Sequence, residues 1–67
     1  MRSNIEAERG RMRLTKEKIA QHLRITPKTY NNYINGASIP SETLVAMAEL
    51  FHCSTDYLLG LTDQRTA

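Results

Sequence analysis

The sequence predicts an all-α domain, a compact five-helix bundle, and three observations lead there. Apolar residues recur at helical spacing: Ile19, Ala20 and Leu23, then Tyr30, Tyr33 and Ile34, then Leu44, Met47, Ala48 and Phe51 at i, i+3, i+4 and i+7. A Ser or Thr suited to accept a backbone N–H stands before each predicted helix, and Gly36 and Gly60 stand where two of them should stop. No stretch of useful length alternates apolar and polar as a strand would. Sixty-seven residues make one domain, near the lower limit at which a hydrophobic core folds without disulfides or metal.

Ser3 and Glu6 form a capping-box pattern that predicts a first helix over about 4–12, with Ile5 and Met12 turned inward. Thr15 caps a second helix over 16–23, whose small Ala20 suits a close helix approach. Only Arg24 and Ile25 separate it from Thr26, the cap of a third helix, in which Pro27 takes the first helical position where a missing N–H costs nothing. Two short helices joined so tightly must cross steeply. Ser41 is expected to cap a fourth helix to about Phe51, and Ser54 a short fifth to about Leu59, with Asp56 favoured by the helix dipole. Residues 62–67 are polar and are expected to form a mobile tail.

The third helix carries the unusual chemistry. Lys28, Asn31, Asn32 and Asn35 fall at i, i+3, i+4 and i+7, opposite Tyr30, Tyr33 and Ile34. Asparagine is roughly 0.6 kcal/mol worse than alanine in a helix, so three of them serve something other than helix stability. Lys28 also opposes the dipole in the first turn, which is easier to understand if a phosphate or guanine faces it. Charge is polarised along the chain. Residues 1–36 hold eight basic and three acidic side chains, whereas residues 37–67 hold one basic and four acidic. A basic half bearing hydrogen-bonding amides points to a polyanion.

Taken in order, Ile19 and Ala20, Leu23, Ile25 and Thr26, Tyr30, Tyr33, Gly36, the Pro40 to Leu44 entry and the run Ser54 to Leu59 resemble the helix-turn-helix regulators of the Cro and lambda-repressor type, the XRE family. The resemblance spans Ile5 to Leu59, with the helix-turn-helix at about 16–35 of a single domain over 1–67. It implies a regulator of transcription binding double-stranded DNA, most simply a repressor that occupies its operator, in a prokaryotic cytoplasm and of phage or mobile-element type. By position, base edges would be read by Lys28 and Asn32 with Asn31 beside them, and lysine on guanine or asparagine on adenine suits that role. Thr15, Lys16, Thr26, Asn35, Arg11 and Arg13 would meet phosphates. A tyrosine hydroxyl, of Tyr30 or Tyr33, is a further candidate. The chain departs from the family pattern at Arg24, where glycine is usual, and at Ile34, where a glutamate commonly pairs with an arginine of the first helix; Arg9 is present without it.

One such domain offers little surface to DNA, so a homodimer is expected, with Tyr57, Leu58, Leu59 and Leu61 as its self-association surface. The alternative reading is a protein-interaction module, such as an antitoxin built on the same fold. Catalysis has no support: His22 and His52 lack a nucleophile or carboxylate partner at useful spacing, and no glycine-rich phosphate loop occurs. One cysteine, Cys53, and two scattered histidines match no metal spacing, so no metal or cofactor is expected. The lone cysteine reads as a small buried hydrophobe in a reducing compartment. No apolar run approaches the ~20 residues of a membrane span and the N-terminus lacks a signal-peptide core, so a soluble intracellular protein is expected.

Overall fold

A computed structural model describes residues 1–66. Five helices follow in order: α1 (Ser3–Arg11), α2 (Lys16–Leu23), α3 (Pro27–Ile34), α4 (Ser41–Phe51) and α5 (Thr55–Leu58), with no strand among the described residues. Every helix contributes to one core: Ile5 from α1, Ile19 and Leu23 from α2, Tyr30 and Ile34 from α3, Met47 and Phe51 from α4, Tyr57 and Leu58 from α5. Leu14, Ile25, Tyr33, Ile39 and Leu44 pack around it half-buried. Ala20 is fully buried, as close approach of helices requires.

Three of the expected caps are made. Thr15 Oγ1 accepts from Lys18 N, Thr26 Oγ1 from Thr29 N and Ser54 Oγ from Tyr57 N, each at 3.1 Å. Two are not. Ser3 lies inside the first turn of α1, whose N-cap is Arg2, so there is no capping box and Glu6 is free to act elsewhere. Ser41 is likewise the first helical residue of α4, and Pro40 takes the N-cap with no side-chain bond.

All five helices close the same way. A residue with positive φ follows each: Arg13 (57°), Arg24 (58°), Gly36 (111°), His52 (54°) and Gly60 (81°). The next N–H then reaches back five residues: Leu14 to Arg9 O, Ile25 to Ala20 O, Ala37 to Asn32 O, Cys53 to Ala48 O and Leu61 to Asp56 O, all within 2.9–3.1 Å. Gly36 and Gly60 adopt this left-handed conformation at no steric cost, whereas Arg13, Arg24 and His52 each bear a strain of about 1 kcal/mol. The turn between α2 and α3 thus keeps the left-handed geometry that a glycine would give, with arginine in it.

The face α1 turns inward differs from the expected one. Met12 lies beyond the helix and is 39% exposed, while Glu8, one turn after Ile5, is 2% exposed. A carboxylate so buried needs partners, and Glu8 has several. Arg65 grips it with both Nε and Nη2 at 2.8 Å, Arg11 donates from Nε and Nη2 at 3.1 and 2.9 Å, and the Tyr57 hydroxyl lies at 3.4 Å. The Arg65 guanidinium above all holds the Glu8 carboxyl below the usual range against the opposing effect of burial. Arg65 Nη2 also donates to Phe51 O at 2.8 Å, and Arg65 O accepts from Ser54 N at 2.7 Å. The segment expected to be mobile is therefore folded back and bonded at Arg65; Ala67 lies outside the described residues.

Tyr57 and Leu58 are 9% and 0% exposed, so they serve the core rather than the partner surface expected of them. Leu59 is half-buried and Leu61 is 73% exposed. Cys53 is half-buried, and burial pushes its thiol up.

Replacing the charged acceptor by Glu8→Gln is expected to destabilise the fold by about 2 kcal/mol, measured by denaturant titration at pH 7. Arg9 holds the Glu6 carboxyl low as Arg65 holds Glu8. Stability from both is fully present above the unfolded glutamate value of about 4.3 and is lost as pH falls through the lower folded values. The thermal midpoint should hold from about pH 7 to 5 and drop below about pH 4, less steeply in Glu8→Gln. Arg24→Gly should raise stability by up to about 1 kcal/mol by relieving the positive φ; a loss in the same melt would show that the arginine side chain contributes more than the strain costs.

Candidate nucleic-acid interface

Two short helices and a three-residue turn build the surface. Ile25 is half-buried and packs on the core, and Thr26 caps α3, with Pro27 at its start. Two turns of helix follow, anchored by Tyr30 and Ile34. The Tyr30 hydroxyl donates to Glu6 Oε2 at 2.5 Å, and Glu6 is held by a bidentate pair to Arg9 at 2.9 Å. Burial and the Glu6 carboxylate both push the Tyr30 hydroxyl well up from its ordinary range. Arg9 therefore has an acidic partner within its own helix, and Tyr30 spends its hydroxyl inside the protein; it is not the phosphate donor considered from sequence.

With that face committed, the other is left to solvent. Lys28, Asn32 and Asn35 are exposed at i, i+4 and i+7, and Asn31 beside them is half-buried. Among the described residues, their side chains make no hydrogen bond to the protein. Thr15 at the start of α2 is exposed and Lys16 half-buried. Thr26 is exposed, with its proton directed to Thr29 Oγ1 at 3.0 Å. The exposed Arg13 stands in the turn before Thr15, whereas Arg11 is engaged with Glu8. Of the three acidic side chains in residues 1–36, Glu6 and Glu8 are drawn into ion pairs, which leaves Glu17 exposed, while Lys18, Arg24 and Lys28 are exposed and Lys16 half-buried. The positive surface is in this way better separated from negative charge than the sequence count suggests.

At the C-terminal end of α3 stands a residue that no sequence pattern singles out. Arg2 N donates to Ile34 O at 2.6 Å, and Arg2 Nη1 donates to Tyr33 O and Ala37 O, each at 2.5 Å. No local pattern marks this, because the bonds join positions more than thirty residues apart.

Other chemistry finds little footing. A hollow of about 410 Å³ lies beside α4 and the start of α5, lined by Val45, Ala48, Glu49, His52 and Cys53 among others, and includes no residue of α3. Among the described residues no group of His, Cys, Asp and Glu is arranged to hold a metal ion, and no helix is long and apolar enough to cross a membrane.

Comparison with known proteins agrees with this geometry. The family described as Helix-turn-helix matches residues 5–58. A curated relative of Bacillus subtilis (strain 168), named "Uncharacterized HTH-type transcriptional regulator YobD", is 38% identical over 52 residues, which are 76% of this chain and 46% of the relative. The chain thus spans less than half the length of that relative. No solved structure matches. With all five helices, the tight α2–α3 turn and the family match covering the same residues, the chain belongs to the helix-turn-helix family of the Cro and lambda-repressor type.

Proposed function

We propose that this domain binds double-stranded DNA sequence-specifically, with α3 in the major groove, and regulates transcription as a repressor that occupies its operator. One observation carries the reading: α3 buries Tyr30 and Ile34 completely or nearly so while Lys28, Asn32 and Asn35 stand exposed on the opposite side. An α-helix fits the major groove, where lysine donates to guanine O6 and N7 and asparagine pairs with adenine N6 and N7. Lys28 and Asn32 read bases in this proposal, with Asn31 supporting from a half-buried position. Thr15, Lys16 and Asn35 meet phosphates, together with the backbone N–H groups at the starts of α2 and α3. Arg13 adds to them from the turn, and Arg11 joins if it leaves Glu8 to Arg65. Thr26 contributes its position at the helix start more than its hydroxyl, whose proton goes to Thr29.

A domain of this size offers DNA about 600–1,000 Å², so tight specific binding calls for two copies on a two-fold site with centres ~34 Å apart. The self-association surface we propose is the exposed end after α5, Leu61 with Leu59. The name of the B. subtilis relative, an HTH-type transcriptional regulator, supports a role in regulating transcription.

Selection from randomised duplexes, followed by affinity measurement at two salt concentrations, tests the reading. One motif should be enriched and binding should weaken steeply with salt. Asn32→Ala should cost about 1–3 kcal/mol against the selected duplex and relax preference at one position. Absence of any enriched sequence, with weak binding even at low salt, would refute DNA reading and leave the protein-interaction role as the surviving use of the fold. Sedimentation of the protein with its selected duplex should show two copies per site, and Leu61→Asp should reduce cooperativity without loss of helix content; one copy per site at high concentration would remove the dimer from the proposal.

A further inference from the structure

The last four carbonyls of an α-helix have no partner within the helix, and in α3 every one of them is satisfied. Asn35 N donates to Asn31 O at 3.1 Å, Ala37 N to Asn32 O at 3.0 Å and Gly36 N to Tyr33 O at 3.2 Å. What remains falls to a single residue from the other end of the chain. Arg2 gives its backbone N–H to Ile34 O at 2.6 Å and places one guanidinium nitrogen between Tyr33 O and Ala37 O at 2.5 Å each. One side chain thus fastens the final turn of α3 and the first residues of the loop that leads to α4.

We propose that Arg2 is a positioning residue for base recognition, setting the final turn of α3 and the start of its following loop so that Asn32 is presented to a base in one orientation, with Asn35 held toward the adjacent phosphate. The inference rests on the DNA-reading function proposed above. A helix of eight residues is only two turns long, and helices this short owe their order to tertiary contacts and caps rather than to their own propensity. Asn32 stands in the turn that would fray first, and Asn35 is the residue that ends it. The side chains of these asparagines are unattached to the protein, so nothing but the backbone fixes where their amides point. Holding Tyr33 O, Ile34 O and Ala37 O holds that backbone. Electrostatics act in the same direction. The C-terminal end of a helix carries about half a negative charge, which repels a phosphate backbone brought alongside, and a guanidinium seated on those carbonyls offsets it. Arginine suits the place because a single guanidinium nitrogen carries two N–H donors held in the plane of the group, so Nη1 serves both carbonyls without further ordering.

The test compares Arg2→Ala, Arg2→Lys and the unmodified protein on the selected duplex and on a scrambled duplex of the same length, at one salt concentration. The readout is the ratio of the two affinities. Partial unfolding of a variant lowers both affinities equally and cancels, and so does the loss of a phosphate contact, which carries no sequence information. Arg2→Ala is expected to reduce the ratio about tenfold, and Arg2→Lys, which keeps the charge and can reach a carbonyl, to recover part of it. If Arg2→Ala does not fold, Arg2→Gln, which keeps a donor without the charge, takes its place in the comparison. An unchanged ratio in a folded Arg2→Ala or Arg2→Gln variant overturns the positioning role while leaving DNA reading intact. No preference for the selected duplex by the unmodified protein overturns both.

Discussion

The bond from the Tyr30 hydroxyl to Glu6 is the contact on which the arrangement of the molecule depends. A buried phenol needs a partner, and the partner here is a carboxylate that Arg9 already holds in a bidentate pair. Arg9 also donates to Leu14 O at 2.7 Å, at the point where the chain leaves α1 for α2. One chain of polar contacts therefore runs from the middle of α3 through α1 to the entry of the helix-turn-helix. The apolar core alone would hold α3 against its neighbours but would leave its rotation about its own axis weakly specified, since Tyr30, Tyr33 and Ile34 together form a broad apolar face. A directional bond at the tip of the fully buried tyrosine fixes that rotation. Fixing it decides which residues point outward.

A second carboxylate does for the C-terminal half what Glu6 does for the N-terminal half. Glu8 gathers Arg11, Arg65 and the Tyr57 hydroxyl, and two of these come from beyond α4. Asn4 Nδ2 adds a bond to Tyr57 O at 2.7 Å. The short α5, only four residues long, could not persist by helix propensity; it persists because its tyrosine is tied to α1, and its capping serine to Arg65, which is itself tied to α1 and to the end of α4. A chain of this size has few residues with which to make a core, and it uses charged pairs that are well supplied with hydrogen bonds to connect its two ends.

The helix inventory was legible because it depends on local pattern. Spacing of apolar residues placed α2, α3 and α4, and Thr15, Thr26 and Ser54 marked starts that the structure bears out. Ser3 and Ser41 misled for a shared reason: a serine at the boundary is equally at home one step inside the helix, and Arg2 and Pro40 hold the cap positions through long-range bonding and fixed φ respectively. The inward face of α1 was misjudged because hydrophobic periodicity cannot see a carboxylate that is buried together with its counter-ions. Glu8 reads as surface until Arg65, fifty-seven residues on, is found beside it. The same holds for Tyr57 and Leu58, whose apolar character suggested a partner surface when it was needed for the core. On α3 the 3.6-residue period alone separates the exposed Lys28, Asn32 and Asn35 from the buried Tyr30 and Ile34, while Asn31, placed by the same period in the outer row, is half-buried. Arg2 was not legible, for its partners are backbone carbonyls that become neighbours only after folding.

Both carboxylate clusters also shape the electrostatics outside. Glu6 and Glu8 account for two of the three negative charges in the basic half, and turning them inward removes them from the surface that a polyanion would approach. Cations are consumed with them, but unequally. Glu8 is neutralised chiefly by Arg65, which belongs to the acidic half of the sequence, so Arg11 is less strictly required inside and more than half of its side chain remains exposed. The pairing thus carries a positive charge from the far end of the chain to the buried carboxylate and leaves the positive charges of α2, α3 and their turns on the outside. The partition seen in the sequence, basic before Gly36 and acidic after it, is sharpened by folding into a division between an inner set of neutralised charges and an outer set that is almost wholly basic around the helix-turn-helix.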